Sequence, residues 1–271
     1  MFLSIIKLVY SFIKTNFFFK IISYSIIMDT IEQVDFSDFP KYFSMTIASP
    51  RNSGKNVLLK AMLNELRKTR QIDLCVLFSG THHLQKDTYN FIAPRLRFHS
   101  SEANEKISEI LEIQQQYLKK HKFNKDKIPT VLIILDDIQA DLGRNNKIIQ
   151  KLYLEGRHSG CIVISCFQTL NNMNPELRKN SEIIAVFRSS NYHQNKMIIE
   201  KYLSYENSLE VRKMALNYME RLFNEPYVAM FILAYKMQQV KKLEDFVKKY
   251  KADIDKVNKM DYKLGNEKFW K

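Results

Sequence analysis

The sequence predicts an α/β fold, a mostly parallel sheet with helices on both faces. Three observations carry this expectation. Short apolar runs alternate with stretches whose apolar residues recur at helical spacing, the order that right-handed crossovers turn into a parallel sheet. One run, TVLIIL at Thr130–Leu135, has no polar alternation and so should be covered on both faces. Another, ending at Ala48, passes through the polar turn SPRNSGKN directly into a helical pattern.

Phe43–Ala48 reads as the first buried strand. Val57–Lys68 follows as a helix, with Val57, Leu58, Met62 and Leu66 on one face and its basic residues late, where a helix C-terminus favours them. Asp73–Ser79 is a second strand, and Ile107–Lys120 a long amphipathic helix with Ile107, Ile110, Leu111, Ile113 and Leu118 apolar. Thr130–Leu135 is the third strand, Asn146–Tyr153 a helix, Cys161–Cys166 the fourth strand and Ile183–Phe187 the fifth. After Ser190 the character changes: Asn195–Leu222 reads as helical and Tyr227–Ala234 as one more strand. From Lys241 the chain is Lys-rich with interleaved acids, which favours a solvated helix over a basic arm.

Length and composition bound the rest. The 271 residues, 45% hydrophobic with only 6 Gly and 6 Pro, suit one large domain with appendages and argue against extensive disorder. A formal charge of +13 favours an anionic partner, nucleic acid first and an anionic membrane second. An AT-rich coding bias explains the lysines equally well, so charge alone decides nothing. Cys75, Cys161 and Cys166 sit in apolar runs, as reduced, buried thiols of an intracellular protein do. No Cys/His cluster has zinc spacing, and adjacent His82 and His83 fit a loop or surface better than a metal site.

Residues 1–27 stand apart. They contain no acid, but Lys7, Lys14 and Lys20 interrupt them, leaving no uncharged run near the ~20 residues needed to cross a bilayer. On a helix the three lysines share one face, which reads as an interfacial amphipathic helix and permits membrane contact through this segment alone. A signal peptide fits less well, since no small-residue cleavage site follows. Initiation at Met28, which would leave the segment untranslated, is slightly favoured by the contrast with the rest of the chain. The expected organisation is thus this segment, an α/β domain over 28–238 and a Lys-rich tail over 239–271.

The chemistry begins at SPRNSGKN, which nearly matches the phosphate-cradling pattern G-x-x-x-x-G-K-[ST]. Backbone N–H groups of Arg51, Asn52, Ser53 and Gly54, following Ser49 at the strand end and with the helix N-terminus behind them, suit phosphate oxygens. Lys55 supplies the point charge for the terminal phosphates. Two departures matter unequally. Ser49 replaces the first Gly, where a small residue is tolerable. Asn56 replaces the Ser or Thr that helps hold Mg²⁺; its amide oxygen can ligate the ion, but with less negative potential than a hydroxyl. A turn that merely contains Gly-Lys is the bland alternative.

The second motif weighs against that alternative. TVLIILDD is a buried strand ending in Asp136 and Asp137, at the strand end where open α/β sheets bind ligands. In phosphate-loop enzymes the first such acid serves the Mg²⁺ ion and the second polarises the attacking water. Capping of a following helix is the ordinary fate of such acids. Both motifs, each in context and in the right order, predict a nucleotide-binding domain that uses Mg²⁺.

Three further stretches complete a pattern: LFSGT (Leu77–Thr81), LEGRHSGCIVISCFQ (Leu154–Gln168) and NPELRKNSEIIAVFR (Asn174–Arg188). Over about Tyr42–Tyr202 the chain resembles the poxvirus-type DNA-packaging ATPases of nucleocytoplasmic large DNA viruses, a branch of the FtsK–HerA superfamily of P-loop NTPases. The resemblance implies a RecA/FtsK-like fold, with Lys55 as phosphate-binding lysine, Asp136 as magnesium-associated acid and Asp137 as catalytic acid. It further implies Arg157 as an arginine finger supplied to a neighbouring subunit, and Gln168 as the polar sensor of the γ-phosphate. Without it, Arg157 reads as a surface arginine and Gln168 as a cap.

The same resemblance implies an ATP-hydrolysing homo-oligomeric ring, expected to be a hexamer, that moves viral double-stranded DNA into a capsid. Capsid or portal-like components would be its partners, and the host cytoplasm (viral factory) or the virion its location. Arg95–Arg97 and Lys119–Lys127 are candidate DNA-contacting segments. A related helicase or translocase, or a non-hydrolysing nucleotide-binding assembly protein, are the rival expectations; Asn56 keeps the last one open.

Overall fold

Parallel strands buried on both faces require helices above and below, and this chain supplies them. The computed structural model describes residues 31–81, 88–138, 145–203, 209–237, 239 and 243–270. Residues 1–27 and the His82–His83 pair lie outside the described residues. The strands are β1 (Ser44–Ala48), β2 (Leu74–Ser79), β3 (Arg97–Phe98), β4 (Val131–Asp136), β5 (Cys161–Phe167), β6 (Ile183–Phe187), β7 (Val228–Leu233) and β8 (Val247–Lys251). They form one sheet in the order β3-β2-β4-β5-β1-β6-β7-β8. Neighbours from β3 through β6 run parallel, whereas β7 and β8 are antiparallel additions at one edge.

The two-residue period of a strand sorts the core into two layers. Leu132 and Ile134 of β4 pack in one layer with Leu58, Leu59, Met62 and Leu66 of α1 (Lys55–Thr69). Ile133 and Leu135 pack in the other, with Ile107 and Leu111 of α2 (Ala103–Lys120) and Ile149 and Leu152 of α3 (Lys147–Glu155). Every residue of β4 is buried, as its unbroken apolar run requires. Cys75, Cys161 and Cys166 are free and buried, and burial pushes the thiols of Cys161 and Cys166 up to about 12.

Element boundaries shift where polar groups, not apolar spacing, set them. The helix expected from Ile107 starts at Ala103, after a capping box in which the Glu102 carboxylate accepts from the His99 N–H at 3.0 Å. Asn146 is the cap of α3 and lies just outside it, its side-chain oxygen accepting from the N–H groups of Ile148 and Ile149. The helical stretch expected over Asn195–Leu222 is divided into α5 (Tyr192–Ile198), a π-helical turn at Ile199–Leu203 and α6 (Leu209–Leu222), with α4 (Pro175–Lys179) before them.

The expectation of a solvated helix from Lys241 is corrected. After α7 (Leu243–Phe246), β8 pairs with β7 and extends the sheet, and α8 (Ile254–Asn258) follows. The remaining chain crosses α1, where the Tyr262 hydroxyl donates to the Lys60 carbonyl at 2.6 Å. It then reaches the segments leading into β2 and β3, at the sheet edge opposite β8: the Leu264 N–H bonds the Phe91 carbonyl and the Asn266 N–H the Asp73 carbonyl, each at 2.9 Å. Tyr262 stacks on Phe91 with centroids 5.3 Å apart, and Leu264 is 2% exposed. The charges that suggested a solvated helix belong to a strap with a few deeply buried anchors. Leu264→Ala should therefore cost about 2–5 kcal/mol, read from the urea midpoint; an unchanged midpoint would mean the strap is not part of the folded core.

Candidate functional site

In a parallel strand the chain emerges at the C-terminal end, so loops after neighbouring strands share one rim. The loop after β1, the acids closing β4 and the residue after β5 meet at such a rim, around a cleft of about 690 Å³. Ser49, Arg51, Asn52, Gly54, Lys55 and Asn56 line it, together with Asp136, Asp137 and Gln168. The sequence-predicted site residues therefore converge, with Ser53 and Arg157 the exceptions. A larger cavity, about 980 Å³, opens at the other end of the sheet beside Arg70 and Tyr117 and holds none of these groups.

The loop's shape follows from its residues. Gly54 takes φ +104°, a left-handed value, immediately before α1. A Cβ there would lie 3.1 Å from Tyr227 Cδ1 and 3.6 Å from Phe187 Cε1, so space as well as backbone conformation selects glycine. Asn52 is the loop's second left-handed residue, at φ 60°, a conformation Asn tolerates. Ser49 has no positive φ, so replacement of the pattern's first Gly costs nothing in backbone conformation. Instead its hydroxyl lies 2.5 Å from that of Ser53, and Ser53 donates to the Pro50 carbonyl at 2.9 Å. Ser53 thus ties the loop together from behind. No side chain caps α1, leaving its first N–H groups directed at the cleft as an anion site.

Lys55 and Asp136 form an ion pair across the rim, joining α1 to β4. The Asp136 side chain is only 3% exposed and that of Lys55 24%. Burial works against the Lys55 ammonium, but Cys166 and the carboxylates of Asp136 and Asp137 hold its pKa above the ordinary lysine value. Lys55 therefore enters the cleft as a full cation. The other Asp136 oxygen accepts from the Tyr89 hydroxyl. Burial first, and then the Asp136 charge, push that hydroxyl far above the usual phenol range, so it remains a donor. Asp137 is exposed, with φ 54°, and its N–H reaches the Cys166 carbonyl at 3.4 Å. A left-handed step directly after a buried strand separates two adjacent acids into different settings, one buried and paired, the other open.

Among the described residues no three His, Cys, Asp or Glu side chains cluster as a metal site. That fits magnesium bound with a nucleotide, because Mg²⁺ uses one or two carboxylates, several waters and substrate phosphates rather than a protein cage. The carboxylates of Asp136 and Asp137 and the amide of exposed Asn56 are among the oxygens that line the cleft.

Arg157 stands at the opposite end, in the turn Gly156–Ser159 that precedes β5. Its guanidinium donates to the Glu182 carboxylate at 2.6 Å, and its side chain is 48% exposed. Seven strand residues separate this end from Gln168, roughly 20 Å along β5. It cannot reach its own cleft. Of the candidate DNA contacts, Arg95 donates to the carbonyls of Lys268 and Phe269 and Arg97 to that of Ile92, so both serve the fold. Lys119–Lys127 lies at the Arg157 end, where Lys125 reaches the Arg157 carbonyl at 3.5 Å.

Tyr89, Tyr227 and Ile254 are site residues that the sequence reading missed. Tyr89 lies in no motif and far along the chain from Asp136; only the folded sheet brings them together. Tyr89→Phe keeps the ring and removes the donor to a buried carboxylate. It should destabilise the protein by about 1–3 kcal/mol in denaturant unfolding, and equal stability would show that the hydroxyl contributes nothing to holding Asp136.

Comparison with known proteins bears on the family and the fold. Uncharacterized protein 075L of Invertebrate iridescent virus 6 is 26% identical over 192 residues, 69% of this chain and 69% of that protein. Uncharacterized protein 015R of Frog virus 3 (isolate Goorha) is 24% identical over 148 residues, 54% of this chain and 44% of that protein. Among solved structures, the genome packaging NTPase B204 of Sulfolobus turreted icosahedral virus 2, in complex with AMPPCP, matches with TM-score 0.51 at 16% identity, over 79% of this chain and 100% of that one. The pCW3 conjugation coupling protein TcpA, as a monomer with ATPgS, matches with TM-score 0.51 at 12% identity, over 83% of this chain and 66% of that one. At such identities these structures establish the fold alone. Residues 36–232, which contain the whole loop, both acids, Arg157 and Gln168, match the family described as Poxvirus A32 protein, and the chain belongs to that family.

Proposed function

We propose that this protein is a viral genome-packaging ATPase, hydrolysing ATP in a homo-oligomeric ring to drive double-stranded DNA into a capsid. The observation that carries the proposal is the convergence of Lys55, Asp136, Asp137 and Gln168 on one cleft behind an uncapped helix N-terminus. Family membership and the likeness to a packaging NTPase support it.

The cleft suggests a division of labour. Loop N–H groups and Lys55 hold the β- and γ-phosphates, and Lys55 exchanges its Asp136 partner for them. A bound magnesium ion would neutralise charge between those phosphates, held by Asp136 and Asn56. Exposed Asp137 orients the attacking water and takes its proton as the bond between the γ-phosphorus and the bridging oxygen breaks. Gln168, at the end of the neighbouring strand, senses the γ-phosphate. A guanidinium is still needed against the charge of the transition state, and Arg157 lies too far away to act within its own subunit. A neighbour's Arg157 meets the need, which makes the nucleotide cleft complete only in a ring. Hexameric closure, docking on capsid or portal-like components, and work in the cytoplasmic viral factory or the virion belong to the same reading. DNA would be held through its backbone by the basic surface, without sequence readout.

Asn56 favours a second reading, a nucleotide-binding assembly protein that does not hydrolyse. Steady-state ATPase assays with and without duplex DNA separate the two. We expect DNA-stimulated turnover, abolished by Lys55→Ala and Asp137→Asn and reduced about 10³-fold or more by Arg157→Ala. Mixing Lys55→Ala with Arg157→Ala subunits should restore activity above either alone. Nucleotide binding without turnover in the wild type would establish the second reading, and full activity of Arg157→Ala would remove the finger from the mechanism.

A further inference from the structure

We propose that Tyr227 and Ile254 form the shelf on which the nucleobase of the bound nucleotide stacks. This inference rests on the nucleotide-binding reading of the cleft and adds the subsite for the base. The strand order supplies the direction. With the phosphate loop leaving β1, the acids lie two strands away on one side, at the end of β4. Tyr227 lies two strands away on the other, immediately before β7, and Ile254 follows β8 beyond it. The register places all of these at one rim: Phe187, closing β6, pairs with Ala229 near the start of β7, and Val228 pairs with Lys251 at the end of β8.

A triphosphate gripped by the loop with its last phosphate toward Asp136 and Asp137 must carry its nucleoside the other way, toward β7. The surface there is apolar and exposed. Tyr227 is 46% exposed, although its ring lies against Gly54, and both Tyr227 and half-buried Ile254 line the cleft. The Tyr227 backbone sits at φ 61°, a left-handed value that bulky residues rarely take. A residue held in a disfavoured conformation, presenting a large aromatic face to an open cleft, is spent on a ligand rather than on the core. Aromatic rings suit nucleobases because every base has a flat face to offer. The C-terminal strap therefore supplies one wall of the site through Ile254.

The test compares ATP with inorganic tripolyphosphate, which shares the phosphates and lacks the base, by calorimetric titration with Mg²⁺ present. Wild type, Tyr227→Ala and Tyr227→Phe are compared, with thermal melts to confirm folding. Tyr227→Ala should weaken ATP binding on the order of ten- to hundredfold while leaving tripolyphosphate within about twofold, and Tyr227→Phe should retain wild-type affinity for both. Unchanged ATP binding by Tyr227→Ala would overturn the shelf, as would equal losses for ATP and tripolyphosphate or an unfolded Tyr227→Ala accompanied by weakened ATP binding in folded Tyr227→Phe. A wild-type protein that binds neither probe would overturn the nucleotide reading itself, and the shelf with it.

Discussion

A carboxylate at the end of a central, fully covered strand is stable only when its charge is met, since an unpaired buried ion costs several kcal/mol. Asp136 is such a group. The ammonium of Lys55 and the hydroxyl of Tyr89 meet its two oxygens, tying the first helix and the Tyr89 segment to the end of β4. The rim of the sheet is thereby fixed before any ligand arrives. The arrangement also sets up exchange: incoming phosphates can compete for Lys55, while Tyr89 continues to hold the acid. One buried ionic contact thus serves the fold and, in the proposed function, would also present an oxygen to a bound metal ion.

In the proposed ring, the same geometry would divide the work between subunits. Every predicted group needed to hold and sense a triphosphate stands at the C-terminal rim, and the predicted finger stands at the other end with Glu182 as its local partner. Glu182 also accepts from the N–H of Ser44, the first residue of β1, at 3.1 Å. The carboxylate that holds Arg157 is therefore anchored to the strand that leads into the phosphate loop. In a ring, a change at a neighbour's nucleotide that pulled on Arg157 would load this contact and, through a stiff central strand, the loop of the next site.

Much of this was legible in the sequence, for identifiable reasons. Strands buried on both faces announce themselves as unbroken apolar runs, so the five expected parallel strands lie where the runs lie. The loop and the acid pair were legible because backbone amides, a lysine and carboxylates must keep fixed places relative to strand ends. Tyr89 was not, because its role depends on a long-range contact with no local pattern. The 31 residues from Lys241 misled for another reason: surface lysines dominate their composition, whereas their fold depends on Val247, Tyr262 and Leu264, too few and too widely spaced to show a period. Tyr227 was read as the first residue of a strand; its left-handed backbone, a property of one residue, places it instead just outside β7 at the cleft.

In the proposed function an ammonium and a buried acid at one rim hold a metal-bound triphosphate. The most direct measurement is a crystal structure of the protein with a non-hydrolysable ATP analogue and Mn²⁺, with the ion located by its anomalous scattering. One strong anomalous peak is expected in the cleft between Asn56 and Asp136, with Lys55 released from Asp136 onto the terminal phosphates. An analogue bound elsewhere, or a cleft in which Lys55 keeps its carboxylate partner while the nucleotide binds without the ion, would contradict it.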